Sequence, residues 1–283
     1  DNLNIAIDLM GYTGNNRYFI FRNRIAPIQI NYLGFPGTMG SKIYDYIIGD
    51  KLIIPKKDER FYTEKVLRLK NYFPPNTCVG RISSEVSVSR KDFRIPDNTF
   101  IFTCFNDNKK ITPKEFDIWM NLLNEIKDSI LWLSKSNNLS VINLKRAAEK
   151  RNINPDRIIF AERLKNKEEH LARYKISDLG LDTFNYNGHT TTSDALWTGL
   201  PVITKTGRSF ASRVAASILN SFDLNDLITT TEKEYEEKAL YLAQNRDEIL
   251  KFKRQLKTMN DEILLKSEIY TREIENLYMK IIK

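Results

Sequence analysis

The chain has 283 residues, 41% hydrophobic and 28% charged, with a formal net charge of +8 at pH 7. This composition supplies a core for one large or two modest α/β domains and excludes disordered, collagen-like and low-complexity classes. No apolar run approaches the ~18 residues of a membrane span, no signal-peptide pattern opens the chain, and Cys78 and Cys104 lie far apart with no C-x-x-C partner, so the expected setting is cytoplasmic and reducing.

The positive charge suits a phosphorylated ligand or a nucleic acid. It is spread along a chain rich in Lys, Ile and Asn, as genome composition alone would produce, and no RNA-binding aromatic motif accompanies it. Nucleic acid is therefore not expected as a partner.

In chain order, residues 3–9, 28–34 and 46–50 read as buried strands with Gly- and Asn-rich loops and a short helix near 18–22. Three strands are too few for a complete Rossmann-type sheet, so residues 1–54 are expected to be the C-terminal part of a first half. Residues 55–97 carry Pro-Pro, many charges and little periodicity, and read as a linker or insertion. From residue 98 strands and helices alternate. Strands at 99–105, 129–133, 157–161, 178–183 and 201–204 are separated by helices at 113–126, 142–151, 167–174 and 191–199, and a helix at 208–220 follows. Alternation of this kind implies parallel βαβ units in a doubly wound sheet, placed at 98–265. The tail, 266–283, shows an apolar stripe of Tyr270, Ile274, Leu277, Tyr278 and Ile281, and is expected to pack back on the first half.

Three stretches carry candidate chemistry. In "NGHTTTSDALWTGLP" (187–201), Thr191-x-x-Asp194 has capping-box spacing before an apolar helix, with His189 and Thr190 just ahead. A helix start at the carboxyl end of a parallel strand offers N–H donors and a positive dipole to a phosphate, although an ordinary cap has the same spacing. In "LKNKEEHLARY" (164–174), Lys167, His170 and Arg173 recur every three residues on one flank, as pocket-lining groups or as a solvated face. In "FNDNKKI" (105–111), Lys109 or Lys110 follows a strand end, where a lysine can neutralise a departing phosphate or decorate the surface. Motifs for dinucleotide-binding, P-loop, α/β-hydrolase and zincin sites are missing, and no D-x-D suggests a metal held on a nucleotide diphosphate. Charge balance at such a site would fall to Lys, His and helix-end donors.

The stretches "GYTGNNRYFIFRNRIAPIQINYLGFPGTMG" (11–40), "FNDNKKITPKEFDIWMNLL" (105–123), "RIIFAERLKNKEEHLARY" (157–174), "LDTFNYNGHTTTSDALWTGLPVIT" (181–204) and "GRSFASRVAAS" (207–217) together resemble the catalytic region of the O-linked N-acetylglucosamine transferases, glycosyltransferase family 41, in its bacterial tetratricopeptide-repeat-associated type. The resemblance is collinear over nearly the whole chain. It implies an α/β GT-B fold of two Rossmann-like halves, the first incomplete, and an inverting transfer of N-acetylglucosamine from a UDP-sugar to protein Ser or Thr hydroxyls without metal or other cofactor.

By the same resemblance, Lys110 would stabilise the leaving diphosphate. Lys167, His170 and Arg173 would line the uridine and ribose side, and His189, Thr190, Thr191 and Asp194 would grip diphosphate and ribose. Leu33, Gly34 and Tyr186 would stand near the sugar. Asp107 stands where many relatives carry an uncharged residue near the diphosphate, so its carboxylate is expected to need Lys109 or Lys110 beside it. The implied partners are the UDP-sugar, an acceptor protein and an upstream tetratricopeptide-repeat region. Within the same fold, N-glucosylation from UDP-glucose is an alternative. A nucleotide-binding fragment without catalysis is another.

Overall fold

The computed structural model describes residues 3–70, 86–261 and 263–282. Two parallel sheets organise the chain. The first contains β1 (Ile5–Asp8), β2 (Ile28–Asn31), β3 (Tyr46–Gly49) and β4 (Lys65–Arg68), hydrogen-bonded in that order. The β3 register runs Tyr46 to Lys65 through Gly49 to Arg68. Strand β4 lies inside the stretch read from sequence as linker, so that reading is corrected for 65–68. Its four residues begin and end with a charge and only half bury their side chains at the sheet edge, which removes the apolar signal a central strand would show. Residues 71–85, which include Cys78 and the Pro-Pro pair, lie outside the described residues.

The second sheet is built from β5 (Phe100–Cys104), β6 (Ser129–Ser134), β7 (Ile158–Ala161), β8 (Leu179–Leu181), β9 (Val202–Lys205) and β10 (Ile228–Thr229). Its spatial order is β10-β9-β8-β5-β6-β7, all parallel. That order is the doubly wound one, with its switch point between β5 and β8. The connecting helices are α1 (Pro113–Glu125), α2 (Asn138–Glu149), α3 (Lys167–Lys175), α4 (Thr190–Trp197) and α5 (Val214–Ser221). Helix α1 starts as the sequence suggests, with Thr112 and Glu115 forming a capping box and Pro113 in the first turn. Helix α2 begins four residues earlier than expected because Asn137 and Ser140 cap it reciprocally inside a stretch that reads as loop. Every β5 residue is buried, and Phe100, Phe102, Trp119 and Trp132 fill the core around it.

Helices α6 (Glu232–Gln244), α7 (Arg246–Asp261) and α8 (Ile263–Ile281) complete the chain. Tyr235 of α6 is fully buried and accepts from Trp119 Nε1 of α1 at 3.3 Å. Asn260 of α7 donates to the carbonyls of Leu196 and Trp197 at 3.2 and 2.8 Å, closing the far end of α4. Helix α8 lies against the first sheet. Glu273 accepts from Lys70 N at 2.6 Å, and Ile281 lines a hollow with Pro27, Ile28 and Tyr46. Among the described residues, no helix is long and apolar enough to cross a membrane.

The halves also meet at the head of α5. Arg213 donates to Asp58 Oδ2 at 2.8 Å, Ile53 O at 3.3 Å and Gly207 O at 2.9 Å, while Ser217 hydrogen-bonds the buried Asp50 carboxylate. Both members of the Arg213–Asp58 pair are under one-fifth exposed, so it is shielded from solvent screening better than a surface pair. Arg213→Met is expected to lower unfolding stability by about 2 kcal/mol, since it strands Asp58 and two carbonyls; urea denaturation measures it.

Candidate active site

The switch point places two strand ends side by side. After β5 the chain runs through Phe105, Asn106 and Asp107 into a short 3-10 turn, Asn108–Lys110. After β8 it passes through Asp182 and the loop 183–189 into α4. A buried hydrogen-bond network joins the two. Asp182 Oδ1 accepts from Thr183 N at 2.9 Å, Gly188 N at 2.6 Å and Asn106 Nδ2 at 3.1 Å, and its Oδ2 accepts from Thr204 Oγ1 at 2.6 Å. Asn106 Nδ2 also reaches Thr183 Oγ1 at 2.9 Å, while Asn106 Oδ1 accepts from Thr191 Oγ1. Burial pushes Asp182 up to about 6 against the pull of its four donors, and with donors converging on both oxygens the network fits the carboxylate form.

Lys110 rises beside this network. Its Nζ donates to Asn187 O at 3.0 Å and lies 4.0 Å from the centre of the Tyr186 ring. Tyr186 in turn stacks on His189, with centroids 4.9 Å apart and planes at 25°. Burial lowers the Lys110 ammonium below its ordinary range, and Asp182, Cys104 and Asp107 oppose that shift. Asp107, Lys109, Lys110, Thr112, Asn185 and Tyr186 line a 560 Å³ hollow. Asp107 is answered by the neighbouring lysine. Lys109 Nζ lies 2.9 Å from its carboxylate, and the carboxylate also accepts from Lys109 N at 3.1 Å and Ser136 Oγ at 3.3 Å.

The head of α4 differs from the sequence reading. His189, not Thr191, is the N-cap residue, and it makes no side-chain cap bond. The Thr191-x-x-Asp194 capping box therefore does not form. Thr191 reaches across to Asn106, Thr192 Oγ1 donates to Gly188 O at 2.9 Å, and Asp194 is buried one turn inside the helix. Thr190 is exposed at the first helical position, where backbone N–H groups have no intrahelical acceptor. Gly188 is required by packing. A Cβ there would meet Thr192 Oγ1 at 2.5 Å, Thr191 Oγ1 at 2.7 Å and Asn106 Oδ1 at 2.9 Å.

Lys167, His170 and Arg173 share a 350 Å³ cleft with Phe105 and Lys135. Lys167 is exposed, His170 half-buried and Arg173 buried, so the three grade inward along α3. Arg173 donates to Glu162 O at 2.8 Å and to His170 Nδ1, and its guanidinium carbon lies 5.3 Å from the Phe105 ring centre. Because Arg is always the donor, the neutral His170 ring carries its proton on Nε2. Arg173 Nε is buried without a partner, as is Asn187 Oδ1. Phe105 thus adjoins the α3 residues and also lines a small cavity with Asn106, Asp182 and Thr191.

Leu33 and Gly34 belong to the first sheet, just after β2. Leu33 holds φ +75° and Gly34 N donates back to Tyr32 O at 3.1 Å, giving a γ-turn with a bulky residue in the left-handed region. A Cβ on Gly34 would lie 2.1 Å from Leu9 O. The sequence reading missed Asn106, Asp182 and Gly188. A polar residue ending each of two apolar strands was the available signal.

The glycosyltransferase family 41 model matches residues 1–78 and 75–274. The chain belongs to glycosyltransferase family 41. It is 33% identical, over 99% of its length, to the probable UDP-N-acetylglucosamine–peptide N-acetylglucosaminyltransferase SEC of Arabidopsis thaliana, and spans 29% of that protein. A mutant of the Thermobaculum terrenum O-GlcNAc transferase superposes with a TM-score of 0.89 at 28% identity, covering 99% of this chain and 53% of that one. At 12% identity, a trehalose-6-phosphate synthase matches 91% of this chain and 70% of its own with a TM-score of 0.59, a likeness of fold alone. The family 41 chain therefore has the α/β GT-B fold and spans less than a third of the curated relatives it matches.

Two outcomes follow for the family 41 site. Gly188→Ala is expected to cost about 2 kcal/mol by overpacking, read by urea denaturation, and to displace the head of α4. Burial, reinforced by Arg173 and Lys167 for His170 and by Lys110 for His189, pushes both histidines down to about 4. As pH falls from about 6.5 to about 4 the unfolded chain takes up protons that the folded one refuses, so stability present above this window is lost through it. Denaturation midpoints at pH 7, 5.5 and 4.5 check the slope, and His189→Gln should flatten it.

Proposed function

We propose that this chain is the catalytic portion of a protein glycosyltransferase that transfers N-acetylglucosamine from UDP-N-acetylglucosamine to Ser or Thr hydroxyls, with inversion and without a metal. The observation that carries the reading is Lys110, an ammonium fastened to Asn187 O beside the head of α4 and His189. The names of the relatives support the donor and the class of acceptor.

The cleft by α3 suits the uridine. Phe105 offers an apolar wall, the neutral His170 Nε2–H a donor, and the exposed Lys167 a charge at the rim. The diphosphate would then lie toward α4, where the free N–H groups of the first turn, the Thr190 hydroxyl and Lys110 supply positive potential. His189 Nε2 lies 3.4 Å from Ala211 O; donation there leaves Nδ1 as an acceptor for a ribose hydroxyl. The acceptor oxygen bonds the sugar C1 and gives up its hydroxyl proton to water as the C1–O bond to the diphosphate breaks, and the electron pair of that bond stays on the phosphate oxygen. Negative charge grows there in the transition state, so a fixed ammonium stabilises it more than it stabilises bound donor. Leu33, Gly34 and Tyr186 complete the reading as the sugar side. The acceptor-selecting repeats and a cytoplasmic setting remain part of the proposal.

Calorimetric titration with UDP is expected to show micromolar binding that His189→Ala removes. Lys110→Met is expected to abolish transfer from UDP-N-acetylglucosamine while leaving UDP affinity within about tenfold, because the lysine acts mainly on the transition state. Near-normal turnover of Lys110→Met overturns the assignment, and preferential use of UDP-glucose overturns the choice of sugar.

A further inference from the structure

We propose that Asp182 is a positioning residue for the leaving-group lysine: from beneath the 183–189 loop it fixes the loop's shape and keeps a negative charge facing Lys110, so that the lysine stays protonated in a buried site. The inference rests on the proposed function above and deepens it.

The geometry has two parts. First, one carboxylate collects Thr183 N and Gly188 N from the two ends of the same loop, so the chain between them closes over it. Within that closed loop Asn187 Nδ2 donates to Thr183 O at 2.8 Å and Thr183 Oγ1 to Tyr186 O at 2.6 Å. The carbonyl that receives Lys110 Nζ and the Tyr186 ring beside it thus belong to the loop that Asp182 closes. Second, Lys110 is drawn toward its neutral form by burial, and Asp182 is the foremost of the groups opposing this. The other titratable groups facing Lys110 are Cys104 from β5, Asp107 and Lys109 from the 3-10 turn, and Tyr186 and His189 from the loop before α4. Asp107 is already paired with Lys109, and the Cys104 thiol, pushed up to about 12 by burial, carries no charge at neutral pH. Asp182 is buried from solvent, with donors on both oxygens, and so persists as a fixed charge that salt screens weakly.

The test reads Lys110 directly. In the whole chain with isotopically labelled lysine, the Lys110 ammonium is titrated by NMR without donor or acceptor, in wild type, Asp182→Asn and Thr204→Val. Asparagine keeps the shape and an acceptor oxygen while removing the charge; valine removes one donor and so favours protonation of Asp182. The expected result is a Lys110 titration lowered by about one unit or more in Asp182→Asn and unmoved in Thr204→Val, whose Asp182 is still ionised at the alkaline pH where a lysine titrates. In transfer assays kcat should fall at least about 10-fold in Asp182→Asn, with its alkaline limb moved to lower pH and donor KM changed by less than about 3-fold. In Thr204→Val the loss should appear on the acid side. If Asp182→Asn does not fold, Thr204→Val decides through its acid limb, which should move to higher pH as Asp182 protonates more readily. Identical Lys110 titrations in Asp182→Asn and wild type overturn the proposal, as does a kcat loss in either variant with an unchanged pH profile, the mark of a purely structural role. The titration needs no turnover, so failure of the wild type to transfer sugar overturns the proposed function and leaves this charge coupling separately judged.

Discussion

The site depends on one topological constraint, the parting of connections at the β5–β8 boundary. From β5 the chain moves outward to β6 and β7; from β8 it moves the other way to β9 and β10. The loops leaving β5 and β8 therefore diverge, and the crevice between them is where a doubly wound sheet admits a ligand. Such a crevice exposes strand ends whose backbone groups must be satisfied without helical or sheet partners. Asn106 and Asp182 meet that need. They stand two residues past β5 and one past β8, and bond to each other across the boundary.

This arrangement separates support from reaction. Asp182, Asn106, Thr183 and Thr204 are buried and saturated with one another, whereas Lys110, Tyr186 and His189 reach the open side. A saturated polar network of this kind is rigid because each member's alternatives lie in apolar surroundings. The half-buried groups above it inherit that rigidity through backbone atoms, chiefly the Asn187 carbonyl. Side chains on α3 provide a second cluster around the Phe105 ring, which also lines a cavity with Asn106 and Asp182 of the buried network.

Much of the second half was legible in the sequence because its strands are apolar runs of adequate length separated by capped helices. The strands that escaped were those with little to bury, β4 at a sheet edge and β10 with only two residues. At the site, the charged and aromatic residues announced themselves by type, and the resemblance to family 41 supplied their expected roles. The capping box at Thr191 and Asp194 was a correct pattern in the wrong frame. Gly188 N is taken by Asp182 and Gly188 O by Thr192, so the helix has to begin at Thr190. Asn106 and Asp182 gave no more signal than a polar residue after an apolar strand, since their importance lies in contacts between residues 76 positions apart.

Helix α4 is clamped at both extremities by unrelated parts of the molecule. Its head is tied to the Asn106–Asp182 bridge, while its last carbonyls are held by Asn260 of α7. The next helix, α8, rests on the first sheet. The C-terminal helices thereby touch both the first sheet and the rear of the helix whose front faces the crevice, so the two halves share one helical strut.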